Sequence, residues 1–238
     1  MLEQTGLSPS PDASGGLQTK RVVAPVAVLS DLPDLLLVER TRGRDTRAFE
    51  TLVRRYSRRL YRISRSVLSN DEAAEEAVRA AYIRAFADLD HYEPAGKFGA
   101  WLARLALNEA LTARRVTPVE MPLSVLQQDD VPHGDAAPSR QQIEDAIDAL
   151  PEVFRTVLVL RIVEDLSGVE VAVCLGLNET TVRTRLFRAQ QRLKVDVVRR
   201  LRAEPFNIFA LTSERCDRIV MQVLSKLHAA APVVSESR

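Results

Sequence analysis

The chain has 238 residues, with 33 Lys and Arg against 32 Asp and Glu, 46% hydrophobic and 5% aromatic residues, and only 9 glycines. A large β-sandwich or barrel needs many more turn residues, so the balance favours helices, and the net charge of +1 excludes a uniformly basic surface. Two cysteines, Cys174 and Cys216, make neither a disulfide framework nor a zinc spacing; Cys174 lies on an apolar helix face and reads as a small hydrophobe.

Residues 1–30 read as a disordered tail, polar and small, with Pro9, Pro11 and Pro25. The tail has no basic stretch followed by an apolar core, so it does not read as a signal peptide. No later run approaches the roughly 20 apolar residues of a membrane span. The expectation is a cytoplasmic protein without membrane insertion.

From residue 34 the pattern is helical. In "TRAFETLVRRYSRRLYRISRSVL" the residues Phe49, Leu52, Val53, Tyr56, Leu60, Ile63 and Val67 form one apolar stripe at three-and-four spacing. "SNDEAAEEAVRAAYIRAFADL" opens on the cap candidates Ser69, Asn70 and Asp71 and carries a stripe of Ala74, Ala77, Val78, Ala81, Tyr82 and Phe86. "HYEPAG" breaks the pattern with Pro94 and Gly96, and "KFGAWLARLALNEALTARR" resumes it. The stretch 116–140, with four prolines and no sustained period, reads as a flexible linker. A second helical unit follows over 141–202, interrupted once at Leu150–Pro151, and a C-terminal helical extension occupies 203–238. The predicted fold is all-α: two small helical domains joined by a flexible linker, the first over 31–115.

Charge is segregated along the chain. Residues 42–66 hold nine arginines against Asp45 and Glu50; residues 69–93 hold Arg79 and Arg84 against seven acids. Residues 140–166 hold three arginines against six acids, and residues 167–202 eight basic residues against Glu170, Glu179 and Asp196. Fields of both signs fit a chain that meets DNA on some surfaces and basic protein on others. Solvated helix faces explain any one block equally well.

"LSGVEVAVCLGLNETTVRTRLFRAQQRL", residues 166–193, has the form of a helix-turn-helix. Ala172 permits close helix approach, Gly176 supplies the positive φ of a tight turn, and Val182 plugs the second helix onto the first. Val171, Leu175, Leu177 and Leu186 complete the small core, and Asn178 is the N-cap. Thr180, Thr181, Arg183, Thr184, Arg185 and Arg188 remain for the outer side, types that contact phosphates and read base edges. A helical hairpin with an arginine-rich outer face fits the same residues.

The two halves together resemble a known family. "AFETLVRRYSRRLYRISRSVL…EEAVRAAYIRAFADLDHY…KFGAWLARLALNEAL" resembles region two of bacterial RNA polymerase sigma factors of the extracytoplasmic-function group. "AIDALPEVFRTVLVLRIVEDLSGVEVAVCLGLNETTVRTRLFRAQQRL" resembles their region four. The resemblance covers about 34–115 and 141–201. It implies a sigma factor that directs core RNA polymerase to promoter DNA. Region four would read the −35 element with Thr180, Thr181, Arg183, Thr184, Arg185 and Arg188, and would contact the polymerase flap. In region two, the acidic helix with Glu72, Glu75, Glu76 and Arg79 aligns with the segment that grips the polymerase clamp. The "HYEPAGKF" loop and the helix after it align with the part that captures opened −10 bases, with Tyr92, Lys97, Arg104 and Asn108 as candidates. Trp101, in line with Phe98 and Leu105, reads as core instead. An anti-sigma factor is the further implied partner.

Two departures from the family stand out. Arg79, Ala80 and Ala81 replace a glutamine–acid–threonine or alanine trio, which leaves open a diverged sigma-like protein that binds regulators or polymerase without productive initiation. Val171, Val173 and Cys174 replace acidic and polar residues, which predicts an apolar surface patch at Val173. The C-terminal helix is expected to pack back on region four, with docking of an anti-sigma partner as the alternative. No enzyme is indicated: His91, His133 and His228 have no partner at a metal or triad spacing, and no glycine-rich phosphate loop is present. No catalytic residue, metal or cofactor is predicted.

Overall fold

The computed structural model describes residues 29–93, 97–116, 138–204 and 208–230. Most of the predicted tail and linker, and the break at Pro94 and Gly96, lie outside the described residues. Among those described there are ten helices, with no strand, and no helix is long and apolar enough to cross a membrane.

In the first unit a short helix α1 (Asp34–Arg42) leads into α2 (Thr46–Leu68), the hub of the fold. The Asp45 side chain caps α2 by accepting from the backbone N–H groups of Arg47 and Ala48 at 3.1 and 3.3 Å. Ser69 ends α2 in the left-handed region, φ 53°. Asn70 then caps α3 (Asp71–Ala87), accepting from Ala73 N–H at 2.8 Å. Of the three cap candidates, Asn70 therefore caps, while Asp71 sits in the first turn with Glu72, favourable against the helix dipole. A 3₁₀ turn, Leu89–His91, leads on towards α4 (Phe98–Val116).

The predicted stripes face inward. Phe49, Leu52, Val53, Leu60, Ile63 and Val67 of α2 are buried, as are Ala74, Ala77, Val78, Ala81 and Tyr82 of α3 and Phe98 and Leu102 of α4. The Tyr82 hydroxyl, in full burial, donates to Val53 O at 3.0 Å. One expectation needs correction. The second half of α2 is buried all round: Tyr61, Arg62, Ser64 and Ser66 are enclosed along with the stripe. The second unit and the C-terminal helix cover its remaining faces.

The second unit comprises α5 (Arg140–Asp148), α6 (Glu152–Leu158), α7 (Gly168–Leu175), α8 (Glu179–Arg192) and α9 (Val195–Ala203). Ser139 and Gln142 form a capping box at the start of α5. Past Leu158 the helix widens into a π turn, Val159–Val163, in which Glu164 N–H bonds back five residues to Val159 O at 3.0 Å. The widened turn delivers Glu164 beneath α2. There Arg62 Nε donates to its carboxylate at 2.6 Å, with Arg59 Nε 3.2 Å away; the Glu164 side chain is 2% exposed. Arg65 grips Asp148 with two bonds, 3.0 and 2.7 Å. Arg155, buried, donates to Ser66 O at 2.7 Å and Asp148 O at 2.8 Å. It thereby satisfies a carbonyl at the C-terminal end of α2.

Between these polar ties the units share an apolar cluster. Ile63, Val67 and Leu107 from the first unit meet Val157, Leu160, Val171 and Val182 from the second. Each such side chain, fully buried, is worth about 1.5–3 kcal/mol, so the apolar contact holds the units together. The charged pairs fix how they sit, since a buried pair roughly balances its own desolvation.

The C-terminal helix α10 (Ser213–Ala230) lies on α2 and α3, not on the second unit. This overturns the expectation that it packs on region four. Ile219, Val220 and Val223 are fully buried, while Arg215 and Arg218 reach the acids of α3. The acids and the apolar face that complement α10 are in the first unit.

Candidate nucleic-acid interface

The helix-turn-helix is built by local signals. Ser167 caps α7 and accepts from Glu170 N–H at 3.1 Å, while the Glu170 carboxylate accepts from Ser167 N–H at 2.7 Å. These bonds hold the Glu170 carboxyl below its usual range. Gly176 ends α7 at φ 64°, and a Cβ built there would meet nothing within 4 Å. The glycine is thus needed for its backbone angle and not for space. Leu177 N–H closes the turn on Ala172 O at 2.9 Å, and Asn178 caps α8 by accepting from Thr181 N–H at 2.7 Å.

Val182 and Ala189 are the inward face of α8. Thr180, Arg183, Thr184 and Arg188 are exposed, with Thr181 and Arg185 half-buried at the margin. Among the described residues, Arg183, Arg185 and Arg188 make no ion pair; Arg183 and Arg188 are exposed and Arg185 lies at the margin. Thr180, Thr181, Thr184, Arg185 and Arg188 line a shallow open cleft of about 360 Å³ together with Val153 and Phe154. Phe154 is held by the guanidinium of Arg192, 4.7 Å over its ring. Phe187, four residues after Arg183, is 60% exposed on the same helix. Sequence reasoning missed it; its position on the Arg183 ridge was the available signal.

Val173, expected at an apolar patch, is 58% exposed, and Val169 one turn earlier is 59% exposed. Cys174 beside them is half-buried, and burial pushes its thiol pKa up.

The first-unit candidates are not all presented alike. Arg104 and Asn108 are exposed and four apart, so they share one face of α4, and Lys97 lies exposed just before that helix. Tyr92 is placed differently. Its ring packs at 5.3 Å from Phe98 and 5.0 Å from Trp101, and the residue is only 7% exposed. Its carbonyl accepts from Arg42, which also binds Leu89 O at 2.9 Å. Tyr92 is a packed ring in this arrangement, while Trp101, read as core, is half-buried against the same cluster.

The acidic candidates on α3 divide as well. Glu72 and Glu76 are exposed, and Glu76 pairs with Arg79. Glu75 is 4% exposed and bonded to Arg218 of α10 at 3.2 Å through both oxygens, with Arg215 at 3.4 Å. Beside it Asp71 is partly buried, which opposes ionisation, but the Tyr61 hydroxyl and the Arg215 and Arg65 guanidiniums prevail. They hold its carboxyl below the usual range. Among the described residues no group of His, Cys, Asp and Glu is placed to hold a metal ion.

These two units are recognisable families. Residues 52–117 match Sigma-70 region 2 and residues 140–193 match Sigma-70, region 4. The chain is 32% identical over 177 residues to the ECF RNA polymerase sigma-E factor of Escherichia coli, covering 67% of this chain and 92% of that protein. It is 32% identical over 156 residues to the ECF RNA polymerase sigma factor SigE of Mycolicibacterium smegmatis, covering 62% of this chain and 60% of that longer relative. The fold is similar to that of CnrH, solved in complex with the cytosolic domain of CnrY, with a TM-score of 0.50 and 24% identity over 72% of this chain and 98% of that one. With both regions present in order, and a relative matched over nearly its whole length, the chain belongs to the ECF sigma factors of the sigma-70 family.

Proposed function

We propose that this sigma factor directs core RNA polymerase to promoters through two separate grips and helps open the DNA, with no catalytic residue or cofactor of its own. The observation that carries the reading is the pairing of region two with a region four whose second helix carries Arg183, Arg185 and Arg188 without an ion pair among the described residues. Arginine donors on an exposed helix suit guanine edges and phosphates in a major groove, and Thr180 and Thr181 add hydroxyl donors for the DNA backbone, while the Thr184 hydroxyl donates to Thr180 O at 2.9 Å in this structure. These six residues are assigned to the −35 element.

Lys97, Arg104 and Asn108 are assigned to the −10 element, as a cationic and amide track beside opened bases. Tyr92 joins them only if its ring leaves the Phe98–Trp101 stack. Glu72, Glu75, Glu76 and Arg79 are assigned to core polymerase. The division of labour follows the sequence: 31–115 for polymerase and the −10 element, 116–140 as connection, 141–202 for the −35 element and 203–238 as extension. Val169 and Val173, apolar, exposed and one turn apart on α7, support a protein partner there, an anti-sigma factor in this reading. The work takes place in the cytoplasm, with the polymerase.

Run-off transcription with purified core polymerase on a genomic promoter pool, followed by mapping of start sites, tests the reading. Recovery of one promoter class is expected. Stable polymerase binding with no transcript from any template would establish the non-productive alternative.

A further inference from the structure

Of the α3 acids that the proposed function gives to polymerase, Glu75 is already occupied in this structure, and so is Asp71 one turn before it. Asp71 accepts from Arg215 at 2.6 Å, and Glu75 accepts from Arg218 at 3.2 Å through both oxygens. Both arginines come from α10. Asp71 and Glu75 are four apart and occupy one face of α3, while Glu72 and Glu76, one position on, stay exposed. α10 thus covers half of the acidic surface and leaves the other half open.

α10 is held by one apolar face and by ion pairs to α2 and α3. It is an addition beyond the two matched regions, which end at residues 117 and 193. It follows α9 after a connection in which Ile208, Phe209 and Leu211 are buried and Phe209 N–H donates to Glu144 of α5 at 2.7 Å, an anchor that keeps α10 at a high local concentration beside its seat. Its contact is one amphipathic face: Ile219, Val220 and Val223 inward, Met221 67% exposed on the other side. Arg218 is half exposed where it meets the buried Glu75, so the guanidinium reaches solvent while the carboxylate does not.

We infer that α10 is an intramolecular cap on region two: its arginines occupy Asp71 and Glu75 in the idle chain and are displaced when a basic surface of core polymerase claims those carboxylates. This rests on the polymerase-binding assignment of α3. The cap lowers apparent affinity by the fraction of time the seat is open; a seat open one time in ten costs about tenfold.

The test uses the full-length chain carrying Arg215→Glu with Arg218→Glu, and separately Val220→Asp, against wild type. Affinity for purified core polymerase is measured by fluorescence anisotropy. Amide exchange across Asp71–Ala87 and Ser213–Ala230, together with binding to a −35 duplex, is followed in parallel. Expected are faster exchange in α10, binding to polymerase tightened about 3- to 10-fold in either variant, and unchanged duplex affinity. Unchanged or weaker polymerase binding in both variants overturns the cap. If neither wild type nor variants bind polymerase, the assignment of α3 fails first and the cap fails with it, a result distinct from equal binding by all three.

Discussion

Two helices of this protein are rich in arginine, and the structure treats them in opposite ways. Of the seven arginines of α2, five (Arg54, Arg55, Arg59, Arg62 and Arg65) pair with a carboxylate outside the helix. α8 carries Arg183, Arg185 and Arg188, none paired among the described residues. The same residue type is therefore a structural tie in one helix and a presented surface in the other. Arginine density alone does not distinguish the two. The deciding feature is whether an acidic block lies within reach: the 140–166 segment supplies Asp148 and Glu164 to α2, whereas among the described residues no carboxylate pairs with Arg183, Arg185 or Arg188 of α8.

The comparison is most sharply broken at Arg62. Arg62→Ala leaves the 2%-exposed Glu164 carboxylate with Arg59 alone, and removing one partner of a buried pair costs about 3–5 kcal/mol. Urea unfolding should show a loss at the lower end of that range; a loss below about 0.5 kcal/mol, the surface norm, would mean the interface between the units does not persist in solution. On α8, Arg183→Ala and Arg185→Ala should each cost about 1–3 kcal/mol in −35 duplex binding if they read bases. Unfolding midpoints and polymerase affinity should barely move. Equal loss of DNA and polymerase binding would assign these arginines another role.

Gly176 sharpens the contrast from the backbone side. Gly176→Ala, forced to hold φ 64°, should destabilise the chain by about 1–2 kcal/mol. DNA affinity should follow in proportion to the folded fraction; a stabilised variant would mean the turn is not held there. The smallest expected effect is on pH. Because Asp71 and Glu170 are both held below their usual range in the fold, their contribution is present above the unfolded carboxylate pKa, near 4. It is lost as pH falls through the lower folded values. Asp71→Asn should flatten that acid limb of the stability profile, and an unaltered limb would show that the Arg215 and Arg65 contacts to Asp71 are not maintained.

Much of this was legible in the sequence because it is written in local signals. The stripes of α2 and α3, the Asn178 cap, the left-handed turn at Gly176 and the inward Val182 each follow from short-range spacing and backbone preference. So does the exposure of Val173, since a valine opposite Val171 and Ala172 on a short helix has no interior to enter. What the local signals did not show was mostly long-range. Tyr92 was a candidate for opened −10 bases because the resemblance places its loop there, yet Phe98 and Trp101 pack against its ring. α10 was expected on region four, its nearest neighbour along the chain, and instead found its acids on α3, more than 140 residues earlier.

The sequence by itself determined that the protein is helical, that it has two units of the sigma-70 type and which helix bears an outward arginine face. Periodicity and capping act within a few residues and need no knowledge of the rest. Only the tertiary structure decided which charges are spent within the molecule and which remain for partners. Whether a carboxylate at Asp71, Glu75 or Glu164 meets a guanidinium depends on how helices distant in sequence are brought together by apolar burial, and no local pattern encodes that distance.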